Sequence, residues 1–154
     1  MKKGDIILVQ GKIDPIAFLI RKSLKTAYNH VGIFIDSKNI LEVGGRRTRI
    51  VPSSKYRHNS RYKYKIVRIT GLSKDKISEA IDYMIEVNEK NYFKWLFSCF
   101  MVFFDSEKEL PRRTCSGLIA EGLSKVGFYF NKYKNPLKIT PKDINNSKRW
   151  KRII

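Results

Sequence analysis

The hydrophobic residues of this chain change rhythm several times, and each change marks an element. "GDIILVQG" is a continuous apolar run between glycines, the pattern of a short buried strand. In "IDPIAFLIRKSLKTAYN" the apolar residues Ile16, Leu19, Ile20 and Leu24 recur at helical spacing. Asp14 stands there as a cap and Pro15 at the first helical position, so this stretch predicts a helix. "HVGIFID" and "ILEV", joined by the turn "SKN", predict a β-hairpin. "GGRRTRIVPSS" predicts a loop with a short strand, and "YKYKIVRI" alternates as a further strand. "LSKDKISEAIDYMIEVNEK" opens at Ser73 and places Ile77, Ala80, Ile81, Met84 and Ile85 on one face of an amphipathic helix. The aromatic stretch "YFKWLFSCFMVFF" predicts another helix, followed by a polar loop. A last helix carries Leu118, Ile119, Leu123 and Val126 after Cys115, and "PLKITPKDINNSKRWKRII" reads as coil with a final strand. This order predicts an α+β fold, an antiparallel sheet packed against helices, in a single domain over 1–154.

Composition adds a constraint on partners. Lys and Arg number 32 against 14 Asp and Glu, a net charge of +18. Such a balance calls for an anionic neighbour, whether nucleic acid, anionic lipid or another polyanion, or it serves solubility alone. The basic residues are scattered over the chain rather than gathered on one helix face. No helix-turn-helix, zinc or RNP-type signature is present, so nucleic acid is not the favoured partner. With only two cysteines, Cys99 and Cys115, there is no disulfide framework, and a reducing compartment is expected. The apolar run near the start is only four residues long, too short for a signal peptide. The aromatic stretch of 13 residues, broken by Lys94, is too short to span a bilayer. A cytoplasmic location is therefore expected, with peripheral contact to an anionic membrane surface as a further option. Neither the two histidines nor the two cysteines are spaced as metal ligands, and "VGGRR" lacks the lysine and serine of a phosphate loop. No metal or cofactor is expected. Oligomeric state is not encoded in any pattern of the sequence.

One residue stands where chemistry is easily placed. In "RRTCSGLIAEGL", Cys115 precedes a helical apolar run, at the end of the helix whose dipole favours a thiolate. Ser116 and Gly117 are small enough to admit a close neighbour. A free cysteine is also a common buried core residue. To act as a nucleophile it needs a base, and the base needs an orienting partner. His58 lies in "KYRHNSRYK", read as a solvated basic loop. His30 opens the strand "HVGIFID".

The hairpin serves as a ruler for His30. Val31, Ile33 and Ile35 on one strand, and Leu41 and Val43 on the other, should face the core together. Cross-strand partners share a face, so the numbers of each pair must sum to an even value. The loop is then odd in length and centred on Ser37, with Ile33 opposite Leu41 and Gly32 opposite Glu42. His30 and Glu42 fall on one face at diagonal positions, with Cβ atoms roughly 7 Å apart, within reach of a hydrogen bond. Gly32 between them leaves room beside the ring. A strand-end histidine beside a solvated glutamate is the plainer alternative.

Together, "GDIILV", "NHVGIFID", "ILEV" and "TCSGLIAEGL" resemble the circularly permuted NlpC/P60 papain-like superfamily. They are most similar to its branch of YiiX/YaeF-like hydrolases and related poxvirus proteins, with lecithin retinol acyltransferase in the same permuted group. The resemblance spans Gly4 to about Gly127. It implies a permuted papain-like fold, in which the histidine strand precedes the cysteine helix. It implies Cys115 as nucleophile, His30 as general base and Glu42 as the orienter of the ring. Asn91, Phe93, Thr114 and the Gly117–Leu118 pair depart from the family's usual residues around the aromatic segment and the cysteine, which weakens any transfer of substrate preference. The implied activity is that of a cysteine hydrolase, an amidase or peptidase, an ester or thioester hydrolase, or an acyltransferase. A peptide, amide or lipid-like acyl group would be its substrate. The aromatic stretch Tyr92–Phe104 is either a buried helix or the wall of an acyl-chain cleft. Two rival readings remain: a non-catalytic papain-like scaffold, and a protein that only binds an anionic partner.

Overall fold

The structure is a computed structural model that describes residues 1–11, 18, 21–22, 25–44, 47–88 and 114–154. The helix predicted from Asp14 lies outside the described residues except for Phe18, Arg21 and Lys22, of which all three are helical. The aromatic stretch Tyr92–Phe104, and Cys99 within it, also lies outside them.

Six strands form one antiparallel sheet: β1 (Asp5–Gly11), β2 (His30–Phe34), β3 (Asn39–Gly44), β4 (Arg47–Pro52), β5 (Tyr62–Ile69) and β6 (Trp150–Arg152). Their order across the sheet is β4-β3-β2-β1-β5-β6. The first strand is thus central, flanked by β2 and β5. That position explains its unbroken apolar run, since Ile6, Ile7, Leu8 and Val9 are all buried and both faces are covered. Four helices accompany the sheet among the described residues: α1 (Ser54–Arg57), α2 (Lys74–Asn88), α3 (Cys115–Lys125) and α4 (Pro141–Asn146). The architecture is α+β, as the pattern of elements predicts.

Alternation divides the core in two. Ile6, Leu8, Val31, Ile33, Leu41, Val43, Val67 and Ile69 line one sheet face and meet Ala80, Ile81 and Met84 of α2 and Leu118, Ile119 and Leu123 of α3. Ile7, Val9, Phe34, Ile40 and Ile66 line the other face, where Tyr56 of α1 joins them. The hairpin register is the expected one: Gly32 opposes Glu42 and Ile33 opposes Leu41. The loop is closed by the Ile35 amide donating to the Asn39 carbonyl at 3.1 Å, and Asp36 accepts from the amides of Lys38 and Asn39.

Two expectations need correction. The tail is not coil up to its last strand. It forms a 3-10 turn at Pro136–Lys138 and then α4, whose Thr140 and Asp143 make a capping box ahead of β6. "TPKD" carries that signal in sequence, with Pro141 at the first helical position. The stretch around His58 is not wholly solvated either. His58 is exposed, but the one-turn helix α1 before it buries Tyr56 to 4% exposure.

The start of α3 is fixed by residues later in the chain. Thr114 caps the helix, its hydroxyl accepting from the Gly117 amide at 3.0 Å. Ser116 donates to the Ile139 carbonyl at 2.6 Å. A Cβ on Gly117 would stand 2.8 Å from the Leu137 carbonyl oxygen and 3.0 Å from Thr114 Oγ1. The close neighbour that the small residues admit is thus the backbone of the 3-10 turn. Backbone cannot swing aside as a side chain can. Gly117→Ala is therefore expected to lower stability by about 1–2 kcal/mol in urea unfolding, overpacking outweighing the gain in helix propensity. A variant as stable as the parent would show that α3 shifts freely against this turn.

Candidate active site

Glu42 occupies the middle of β3, between Gly32 of β2 and Arg49 of β4. Its side chain has no exposure to water. A carboxylate so placed requires donors, and four side chains supply them. His30 Nε2 donates to Oε2 at 3.0 Å. The Tyr56 hydroxyl donates to the same oxygen. Arg49 Nε reaches Oε1 at 2.9 Å and Lys55 Nζ reaches it at 2.6 Å. Burial works against this carboxylate, but the hydrogen bond and charge of His30, then Lys55 and Tyr56, hold it far below its ordinary value of 4.5. Glu42 is an anion at any working pH.

His30 is drawn between two anionic partners. With Nε2 engaged by Glu42, Nδ1 is the nitrogen left for Cys115, and the imidazole and thiol are hydrogen-bonded. Burial alone would lower the His30 pKa. The Cys115 thiolate first, and Glu42 second, more than offset this and raise it from 6.5 to about 9. The thiol shows the reciprocal effect. Burial would raise it, but the charge and hydrogen bond of His30 and backbone hydrogen bonds at Val31 and Ser116 bring it below its ordinary 9.0. Both shifts act in the direction of a thiolate beside an imidazolium. That pair can attack a carbonyl and shuttle a proton.

The three residues singled out in sequence therefore come together. The hairpin register accounts for His30 and Glu42, whereas Cys115 arrives from the helical layer and meets the ring at the first residues of β2. The room expected at Gly32 is filled: a Cβ there would lie 2.5 Å from Ile40 Cγ2 and 3.3 Å from Ile7 Cγ2. This glycine makes space for apolar packing rather than for the ring. Sequence reasoning missed Arg49, Lys55 and Tyr56. Arg49 is the direct cross-strand partner of Glu42 and follows once β4 is put in register. Lys55 and Tyr56 ride on one helical turn, too short to show a period, and the only sequence signal is a lone aromatic among polar residues. The cavity between Phe130–Tyr133 and α4 is lined by none of these groups.

No protein family's sequence model matches this chain, and no curated protein matches it. Among solved structures, it is similar to the crystal structure of the metalloprotein YiiX from Escherichia coli O157:H7, a DUF1105 protein. The TM-score is 0.72 at 16% sequence identity, over 99% of this chain and 96% of that one. The chain thus has the YiiX-like fold. That protein is described as a metalloprotein. Among the described residues, no three His, Cys, Asp or Glu side chains converge as ligands. Cys115 and His30 bond each other, and Glu42 gives both oxygens to protein donors. No described helix is long and apolar enough to cross a membrane.

Replacing Glu42 leaves Arg49 and Lys55 facing a neutral amide. Glu42→Gln is expected to cost roughly 2–4 kcal/mol at neutral pH, toward the low end because Arg49 is 45% exposed and can regain water. The native pKa lies below the unfolded one, so this stabilisation is present above pH 4.5 and is lost as pH falls through the native value. Denaturant midpoints of parent and variant should converge on acidification. A gap constant from pH 7 to pH 3 would refute the assignment.

Proposed function

We propose that this protein is a cysteine-dependent acyl hydrolase or acyltransferase of the permuted NlpC/P60 type. The observation that carries the reading is His30 hydrogen-bonded at once to Cys115 and to Glu42. The chain order of the parts supports the permuted papain-like assignment, because the histidine strand precedes the cysteine helix. The YiiX-like fold is consistent with it.

Cys115 thiolate attacks the substrate carbonyl, and the C–S bond forms as the carbonyl π pair moves to oxygen. The backbone amide of Cys115, at the start of α3, donates to that oxygen. Collapse of the intermediate expels the leaving group, which takes the proton held on His30. A water or an acceptor hydroxyl then gives its proton to His30, attacks the acyl-thioester and releases the product, with the thiolate as leaving group. Glu42 keeps Nε2 protonated, so that Nδ1 is always the nitrogen that exchanges protons. The substrate is a peptide, an amide or a lipid-like acyl ester or thioester. The high positive charge suits action at an anionic membrane surface, with the protein cytoplasmic and peripheral.

Alkylation by iodoacetamide tests the pair, with Cys99→Ser as background. Cys115 should react well below pH 9, because its pKa is lowered by His30. In His30→Ala the onset should move up to that of an ordinary thiol, and Cys115→Ser should not react. Turnover of an ester or thioester substrate should decline above about pH 9, as the imidazolium loses the proton the leaving group needs. Equal, ordinary reactivity with and without His30 would make the domain a binding scaffold rather than an enzyme.

A further inference from the structure

Three of the four donors on Glu42 are groups other than the His30 ring that the carboxylate is proposed to orient. Arg49 and Lys55 both bond Oε1, and the Tyr56 hydroxyl shares Oε2 with His30. Tyr56 is 4% exposed and lies against the imidazole, with ring centroids 6.0 Å apart. Its own ionisation is suppressed by burial and by the Glu42 charge, so it is always a donor. Among the described residues, the titratable groups facing His30 and Glu42 are Cys115 from α3, Arg49 from β4, and Lys55 and Tyr56 from α1. Tyr62 of β5 packs edge-on against Tyr56.

We propose that Arg49, Lys55 and Tyr56 tune His30 by drawing the charge of Glu42 away from it, so that the imidazolium remains able to give up its proton. The inference rests on the catalytic reading above. The physical argument is one of competition. A carboxylate oxygen that already accepts from a phenol is a weaker acceptor for the imidazolium. Two cations on the other oxygen offset the negative charge that would otherwise stabilise the imidazolium. An orienting carboxylate without them would lock the proton on the ring, and the leaving group would depart unprotonated. Arg49, Lys55 and Tyr56 touch no reacting atom, so they are positioning and tuning residues rather than catalytic ones.

The sign of the effect separates tuning from mere support. If the three only held Glu42 in place, removing one would loosen the acceptor and lower the His30 midpoint. If they tune, removal raises it. The chain has two histidines, and His58 is exposed, so the ring C–H resonances give one reporter and one internal reference. The experiment follows these resonances against pH in the parent, in Tyr56→Phe, in Lys55→Met and in Arg49→Gln, with iodoacetamide rates measured on the same samples. Arg49 is 45% exposed, so its variant keeps the test open if Tyr56→Phe fails to fold. The expected result is an upward move of the His30 midpoint, by about half a pH unit or more, in each folded variant. The upper limb of any turnover profile should follow it. A midpoint that stays or falls overturns the tuning role while leaving the thiolate–imidazolium pair intact. A parent thiol as slow as a free one overturns the catalytic reading instead, whichever way the midpoints move.

Discussion

A carboxylate cut off from water must be met by hydrogen-bond donors, and nearly everything near the candidate site of this protein answers to that demand. Glu42 draws its donors from three separate elements: His30 from β2, Arg49 from β4, and Lys55 and Tyr56 from the one-turn helix α1. Its burial in turn results from its place in the sheet, between two neighbouring strands. The His30 ring is thus aimed at Cys115 by a network that folding itself must complete. The helix that carries Cys115 is docked by apolar packing and by hydroxyl hydrogen bonds, among them Tyr83 of α2 donating to Glu121 at 2.8 Å. Helix α3 is pinned by Thr114, Ser116 and the close approach of Gly117 to the 3-10 turn.

The charge of the chain looks different in the light of this network. Between Val43 and Ile66 there are eight Lys and Arg and no Asp or Glu. From composition alone that run is a solvated basic surface or a polyanion site. Two of its cations instead turn inward, to the carboxylate that precedes the run. Asp5 takes another cation, Arg68, in a bidentate pair across β1 and β5, with distances of 2.7 and 2.8 Å. Glu42 and Asp5, the two buried acids described, thus act as structural anchors, each holding cations of a strongly basic chain.

Much of this site is legible in the amino-acid sequence, and the reason is geometric. A strand has a period of two, so one correct pairing in the hairpin fixes every other, and the face shared by His30 and Glu42 comes from counting. The helix after Cys115 is legible from its apolar spacing, whereas the capping role of Thr114 ahead of it emerges only in the structure. The residues that escape are those whose placement depends on contacts distant in sequence or on elements too short to repeat. Tyr56 has no periodic neighbours to show that it is buried. Gly32 reads as a gap beside a ring, because nothing in sequence shows that Ile40 and Ile7 turn into it. The cap of α4 is written in "TPKD" and is legible in principle, but the helix behind it is only six residues long.

The contact between Gly117 and the 3-10 turn also sets an order of events in time. During synthesis the hairpin bearing His30 and Glu42 leaves the ribosome first, and Arg49, Lys55 and Tyr56 emerge within a few residues of it. The thiol comes much later, and the turn that seats its helix later still. A nascent chain therefore holds His30 and Glu42 before Cys115 is made, and a chain cut between Gly127 and Asn135 would hold all three side chains without the 3-10 turn that packs against the thiol's helix. The meeting of thiol and ring therefore depends on residues made long after the strands that hold Glu42, although all of them close on one small site.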